Sequence, residues 1–187
     1  MALKPQDVGV VLKLAVTPFG EFTSPMAAAE LGMSKSEVNN AILRSIASRL
    51  LTRELLPPDG VRKVGRPKRR LLVNRRGLEE FVIHGLKYVF VPVRGPLVRG
   101  VPTAHGTAPL DTLILSQEAV PVWPYARGQA RGESFSPLFP SAPFAALRDP
   151  SYHALLALVD AIRGGRARER TLASELFVDR LKESPRA

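Results

Sequence analysis

Residues 24–54, SPMAAAELGMSKSEVNNAILRSIASRLLTRE, hold two short helical patterns and the punctuation between them. Ser24 followed by Pro25 announces the first, MAAAEL carries it for about two turns, and Gly32 stops it, because Gly takes the left-handed conformation that closes a helix without steric cost. Two residues later Ser34 and Glu37 form a Ser-x-x-Glu capping box, in which each side chain satisfies an orphan backbone N–H. A further helix is predicted from Lys35 to about Leu50. At about 100° per residue, Val38, Ala41, Ile42, Ser45 and Arg49 share one side and Ser36, Asn39, Asn40, Leu43 and Ala47 the other. One face is suited to a core and the other is short and polar.

Upstream, Val8, Val11, Leu12, Ala15 and Val16 recur at helical spacing behind Pro5, so a helix is predicted over residues 4–16 before Thr17, Pro18 and Gly20 break the pattern. Two short helices joined by a tight Gly-containing turn, the second entered through a Ser cap, form the arrangement of a helix-turn-helix. The side chains on the polar face suit that use: Asn pairs a donor with an acceptor and can read adenine, Ser and Lys reach bases or phosphates, and Ala or Leu can touch a thymine methyl. An ordinary amphipathic helix with a solvated face would show the same pattern.

Residues 63–70 read KVGRPKRR, and from Arg62 to Arg76 there are eight basic residues (Arg62, Lys63, Arg66, Lys68, Arg69, Arg70, Arg75 and Arg76) and no acidic one. Such a run repels itself unless an anion neutralises it. Gly65-Arg66-Pro67 resembles the core of the AT-hook, an extended turn that enters the narrow minor groove of A·T-rich DNA, although Val64 stands where an AT-hook has Arg. A basic linker between two domains is the alternative. Asn74 then caps a helix carrying Leu78, Phe81, Val82, Gly85, Leu86 and Tyr88, whose apolar residues are expected in the core. Arg75 and Arg76 in its first turn oppose the helix dipole, which suggests service to a phosphate.

The segment 24–54 resembles the DNA-binding core of bacterial winged helix-turn-helix regulators related to the MarR group, a likeness that covers roughly residues 4–88. It implies a two-stranded hairpin, the wing, after the third helix, with strands near Leu51 to Leu55 and Arg69 to Val73. KVGRPKRR then becomes the wing tip and returning strand. The site residues implied are Ser34, Lys35, Ser36, Asn39, Asn40 and Arg44 on the recognition helix, Arg62, Lys63, Arg66, Lys68, Arg69 and Arg70 on the wing, and Arg75 and Arg76 against the DNA backbone. LVDAIRGGRARERTLASEL, residues 158–176, further resembles small bacterial winged-helix proteins encoded beside nucleotidyltransferase-type toxins, which implies an antitoxin-like autoregulator.

Ten of the seventeen prolines lie between Pro92 and Pro150, so short strands and ordered loops are expected there rather than helices. Arg94 and Arg99, each followed by Gly, could line a pocket for an anionic effector, or belong to an extended loop over the first domain. Trp123 and Tyr125 could plug this region onto the rest. A helix is expected from Ser151, carrying Leu155, Leu158, Val159 and Ile162 and ended by Gly164 and Gly165. A last one is expected from Ala167 to Lys182 with Leu172, Leu176, Val178 and Leu181. This pair either supplies a dimer interface or packs internally.

The fold class expected is mainly α with a small β-wing: a winged helix-turn-helix over residues 1–88, a Pro-rich loop or short-strand region over 89–150, and a helical pair over 151–187. Of the 187 residues 45% are hydrophobic and 24% charged, enough to bury a core. The net charge of +10 concentrates in residues 1–88, which carry +7, and points to nucleic acid as partner. The chain has no Cys, which excludes disulfides and thiolate metal sites. Its N-terminal MALKPQDVGVVLKLAV reads poorly as a signal peptide and no run approaches a membrane span, so a cytoplasmic location is expected. Three scattered His and no nucleotide-loop or nucleophile-elbow motif give catalysis, metal or cofactor little footing. The expectation is a homodimeric, sequence-specific binder of double-stranded DNA, a repressor or autoregulator. A basic module for RNA or an acidic protein partner is the alternative.

Overall fold

A computed structural model describes residues 2–18, 20–55, 69–115 and 118–183. It is a mixed α/β arrangement dominated by helices. Helices α1 (Pro5–Val16), α2 (Ser24–Leu31) and α3 (Lys35–Ala47) are followed by an antiparallel pair, β1 (Leu51–Leu55) and β2 (Arg69–Val73). Both strands fall where the wing was expected, in the register Leu51 opposite Val73 through Leu55 opposite Arg69. The stretch expected to form the wing tip, with Arg62, Lys63, Arg66 and Lys68, lies outside the described residues.

Local chemistry sets the helix ends. Thr23 rather than Ser24 caps α2, its hydroxyl accepting from the Met26 N–H at 3.3 Å. Gly32 takes φ 64°, and the Met33 N–H closes back onto the Ala28 carbonyl at 2.9 Å, which ends α2 and leaves three residues before α3. Helix α3 stops at Ala47, three residues earlier than expected. Arg49 adopts φ 60° and the Leu50 N–H bonds to the Ser45 carbonyl at 2.9 Å. This closure swings Leu50 and Leu51 into the core and leaves Arg49 exposed, not on the core face where helical periodicity put it.

Asn74 caps α4 (Arg75–Glu80), accepting from the Gly77 N–H at 3.0 Å, and the helix continues through a π-turn at Phe81–Gly85 into α5 (Leu86–Val89). Leu78, Val82 and Leu86 are buried as expected. Tyr88, two residues and so about 200° beyond Leu86, is 74% exposed and does not join them.

The Pro-rich segment does form short strands: β3 (Arg94–Pro102), β4 (Pro121–Pro124) and β5 (Ala130–Phe135). β3 pairs antiparallel with both neighbours, and β4 runs parallel to β5, so the three close on themselves. This second sheet adds to the single wing expected from sequence. The segment also contains a helix that its proline content argued against, α6 (Ala142–Arg148). Pro143 sits in its first turn, where a missing N–H costs nothing, and so initiates the helix instead of breaking it.

Helix α7 (Pro150–Gly164) is the central post. Every residue from Ala154 to Arg163 is buried, in contact with α1, α5, α6 and α8. Its apolar surface is therefore used inside the chain. Helix α8 (Ala167–Glu183) lays Ala173, Phe177 and Leu181 on α7 at four-residue spacing, with Leu172 and Leu176 only partly buried beside them.

One buried cluster runs from Val8 to Leu181 and joins the first three helices to the second half. Gly9 permits it: a Cβ there would stand 2.5 Å from the Phe139 ring, and the Gly9 carbonyl accepts from the Tyr152 hydroxyl at 2.8 Å. Lys13 adds an ionic tie, its Nζ lying 2.7 Å from both Glu30 of α2 and Asp149, the N-cap of α7. Burial would lower the Lys13 pKa, but the two carboxylates outweigh it and hold the amine above its ordinary value. Asp149 is held below the usual carboxylate value: burial opposes this, and Lys13 and the Tyr152 N–H prevail.

His153 gives the fold a pH dependence. Its Nε2 lies 2.8 Å from the Pro102 carbonyl, which can only accept, so the neutral ring carries its proton there, beside Trp123. Burial pushes its pKa below the ordinary imidazole value of 6.5, against the Pro102 carbonyl and Asp160, which pull upward. A depressed folded pKa means that the unfolded chain takes up the proton first, so stability is fully present above about pH 6.5 and is lost as pH falls toward the folded value. Thermal unfolding between pH 7.5 and 5 should show a falling midpoint, and His153→Gln should flatten that slope. An unchanged slope in the variant would remove His153 as its source.

Candidate nucleic-acid interface

The outer face of α3 carries Lys35, Ser36, Asn39, Asn40, Leu43 and Ala47, all exposed, while Val38, Ala41, Ile42 and Ser45 face inward. The two faces divide as periodicity predicts. None of Lys35, Ser36, Asn39 or Asn40 has a side-chain hydrogen bond among the described residues, so their donors and acceptors are available to a ligand. Ser34 is committed differently. Its hydroxyl accepts from the Glu37 N–H at 3.1 Å, and Glu37 accepts from the Ser34 N–H at 2.7 Å, completing the predicted capping box. The hydrogen bonds from the Ser34 backbone and then its side chain hold Glu37 below its ordinary pKa.

Arg44 differs from its sequence-based role. Its guanidinium makes a bidentate pair with Asp7 of α1, Nε to Oδ2 at 2.7 Å and Nη2 to Oδ1 at 2.6 Å, and Asp7 is fully buried. Asp7 raises the Arg44 pKa further above its ordinary value, against a smaller burial effect. Position 44 lies at the flank of the buried stripe, and the long side chain turns inward to α1 because a carboxylate waits there. The residue anchors α3; it does not project with the asparagines.

The hairpin lies beside α3. Ser24, Asn39, Ile42, Leu43, Arg53 and Leu71 line a groove of about 300 Å³ between α2, α3 and the two strands. Arg53, exposed on β1, was absent from the sequence-derived site. Strand alternation gave no signal for it: residues 51 and 53 share one face, and Leu51 is buried while Arg53, across from Leu71, is exposed. Arg70 pairs across the strands with Glu54, which neutralises part of its charge. Arg69 closes the described part of β2.

Of the two arginines that begin α4, Arg76 is exposed and Arg75 is not free: its guanidinium donates to the Leu181 carbonyl at the end of α8. The C-terminal helix thus takes the Arg75 charge that sequence reasoning offered to a phosphate. Of the described residues named for the site, together with Arg53, those left exposed for a ligand around α3 are Lys35, Ser36, Asn39, Asn40 and Arg53, with Arg76 to one side. Among the described residues no His, Cys, Asp and Glu cluster could hold a metal, and no helix is long and apolar enough to cross a membrane. No protein-family model, curated protein or solved structure matches this chain.

Proposed function

We propose that the chain is a winged helix-turn-helix regulator that binds double-stranded DNA sequence-specifically as a homodimer, in the cytoplasm, as a repressor or antitoxin-like autoregulator. The observation that carries this reading is the outer face of α3, where Lys35, Ser36, Asn39 and Asn40 are exposed, without side-chain hydrogen-bond partners among the described residues, beside an antiparallel strand pair. A helix of this kind fits the major groove, about 12 Å wide. Asn39 and Asn40 would read base edges, Lys35 and Arg53 would meet phosphates, and the basic stretch of sequence 62–68 would supply further charge for the backbone or the minor groove. The net charge of +10 supplies the non-specific attraction on which such readout rests.

Selection of duplexes from a random pool at about 150 mM salt, where exposed charges are well screened, tests it. A recovered palindrome with half-sites about one helical turn apart supports the dimeric regulator. Asn40→Ala should then cost about 1–3 kcal/mol of discrimination at one base position, whereas Lys35→Ala should weaken all duplexes alike and reduce the salt slope by about one. Retention of low-salt binding with no enriched sequence would defeat base readout and favour RNA or an acidic protein as partner.

A further inference from the structure

Away from α3, three arginines line one recess where no carboxylate among the described residues pairs with them. Arg99 and Arg131 stand directly opposite each other in the β3–β5 ladder, so their side chains leave the same face of the sheet. Arg127 approaches from the turn between β4 and β5. With Leu97, Gly128 and Gln129 these three line a recess of about 600 Å³. Each is exposed, and none makes an ion pair or side-chain hydrogen bond among the described residues. The nearby Glu133 is already held by Arg94.

The recess is built rather than draped. The Gly128 N–H bonds to the Tyr125 carbonyl at 2.9 Å and the Tyr125 N–H to the Arg99 carbonyl at 3.2 Å. A Cβ on Gly128 would stand 2.1 Å from the Gly100 carbonyl oxygen, so only glycine lets the turn press this closely onto β3. Arg127 is therefore presented from a fixed backbone against a fixed pair. Like charges set directly opposite in a ladder destabilise it, and among the described residues no carboxylate pairs with either arginine, Glu133 on the same strand as Arg131 being bound to Arg94.

We propose that this recess binds the phosphoryl groups of a small polyphosphorylated ligand. Guanidinium forks match phosphate oxygens two at a time. A single carboxylate would engage one fork, whereas three converging forks suit two or three phosphoryl groups within a few ångströms. The volume lies in the range of small-molecule sites, about 300–1,000 Å³. Leu97, 56% exposed at the rim, offers an apolar wall to the rest of the ligand. The proposal does not depend on the DNA reading, since it uses none of the residues on α3.

Calorimetric titration of the full chain with inorganic pyrophosphate, tripolyphosphate and ADP at fixed ionic strength tests the site. Arg99→Gln, Arg127→Gln and Arg131→Gln are compared with Arg168→Gln, an exposed α8 residue whose loss changes net charge equally. The expected result is one saturable site, weakened about tenfold or more by each recess variant and unchanged in Arg168→Gln. Arg131→Gln should also unfold no earlier than the parent, because it relieves a like-charge pair. The proposal is overturned by absence of saturable binding, or by equal losses in Arg168→Gln, which would mean diffuse attraction. It is overturned equally if the recess variants lose duplex DNA affinity while pyrophosphate never binds, which would assign the arginines to a nucleic-acid backbone, or if they lose binding only by unfolding.

Discussion

Asp160→Ala is expected to lower the unfolding free energy by about 3–5 kcal/mol, the range for removing one partner of a buried ion pair. Asp160 is 1% exposed and accepts three hydrogen bonds, from Thr103 Oγ1 at 2.8 Å, Trp123 Nε1 at 2.6 Å and Arg163 Nε at 2.8 Å. Arg163 extends the knot to the Phe90 carbonyl at 3.2 Å and to the Ser136 carbonyl. One carboxylate thus ties the residue after β3, the middle of β4, the end of α5 and the residue after β5 to the central helix α7. With alanine, Arg163 keeps its charge in a dry site, and the Trp123 and Thr103 donors lose their acceptor, each a separate desolvation cost. At about 2–4 °C per kcal/mol for a chain of this length, the thermal midpoint should fall by about 6–20 °C. Asp160→Asn, which keeps an acceptor for Trp123, should fall less. A midpoint within about 2 °C of the parent in Asp160→Ala would show that apolar packing alone carries this junction.

The contrast between the two halves shows what the sequence could convey. In the first half the helix ends are specified by neighbours in the chain: the Ser34–Glu37 box, the left-handed Gly32 and the Asn74 cap all act within three or four residues, and the helices begin or end where these devices sit. The α3 polar face was legible for the same reason. The strands β1 and β2 came from a family resemblance, since their pairing partners are fourteen or more residues apart. What escaped was long-range. No local pattern says that Arg44 finds Asp7 37 residues away, or that Arg75 reaches Leu181 across 106. Arg127 and Arg131 look unremarkable in sequence, and only the turn at Gly128 and the ladder opposite Arg99 bring them together. Charged residues were therefore read correctly as abundant, but their division between structure and ligand depended on contacts that no periodicity encodes.

The pair Asp7–Arg44 sits where stability and recognition meet, and its removal separates them. Asp7→Ala should destabilise by about 3–5 kcal/mol, because it strands the Arg44 guanidinium. It also deletes the side chain that accepts from the Lys4 N–H at 2.8 Å at the start of α1. Arg44→Met should be costly too, leaving Asp7 buried with that one backbone partner. The double variant should lose less than the sum of the singles, with a coupling of about 0.5–3 kcal/mol in a double-mutant cycle, since two apolar replacements leave no orphaned charge. An additive cycle would mean that the pair contributes nothing beyond its separate side chains. The same Arg44→Met variant carries the functional question. If Arg44 only fixes α3 against α1, duplex selection at a temperature where the variant is folded should recover the parent's preferred bases at reduced affinity, while Asn40→Ala alters a base. A changed base preference in Arg44→Met would return that residue to the reading surface, and would require its bond to Asp7 to break when DNA binds.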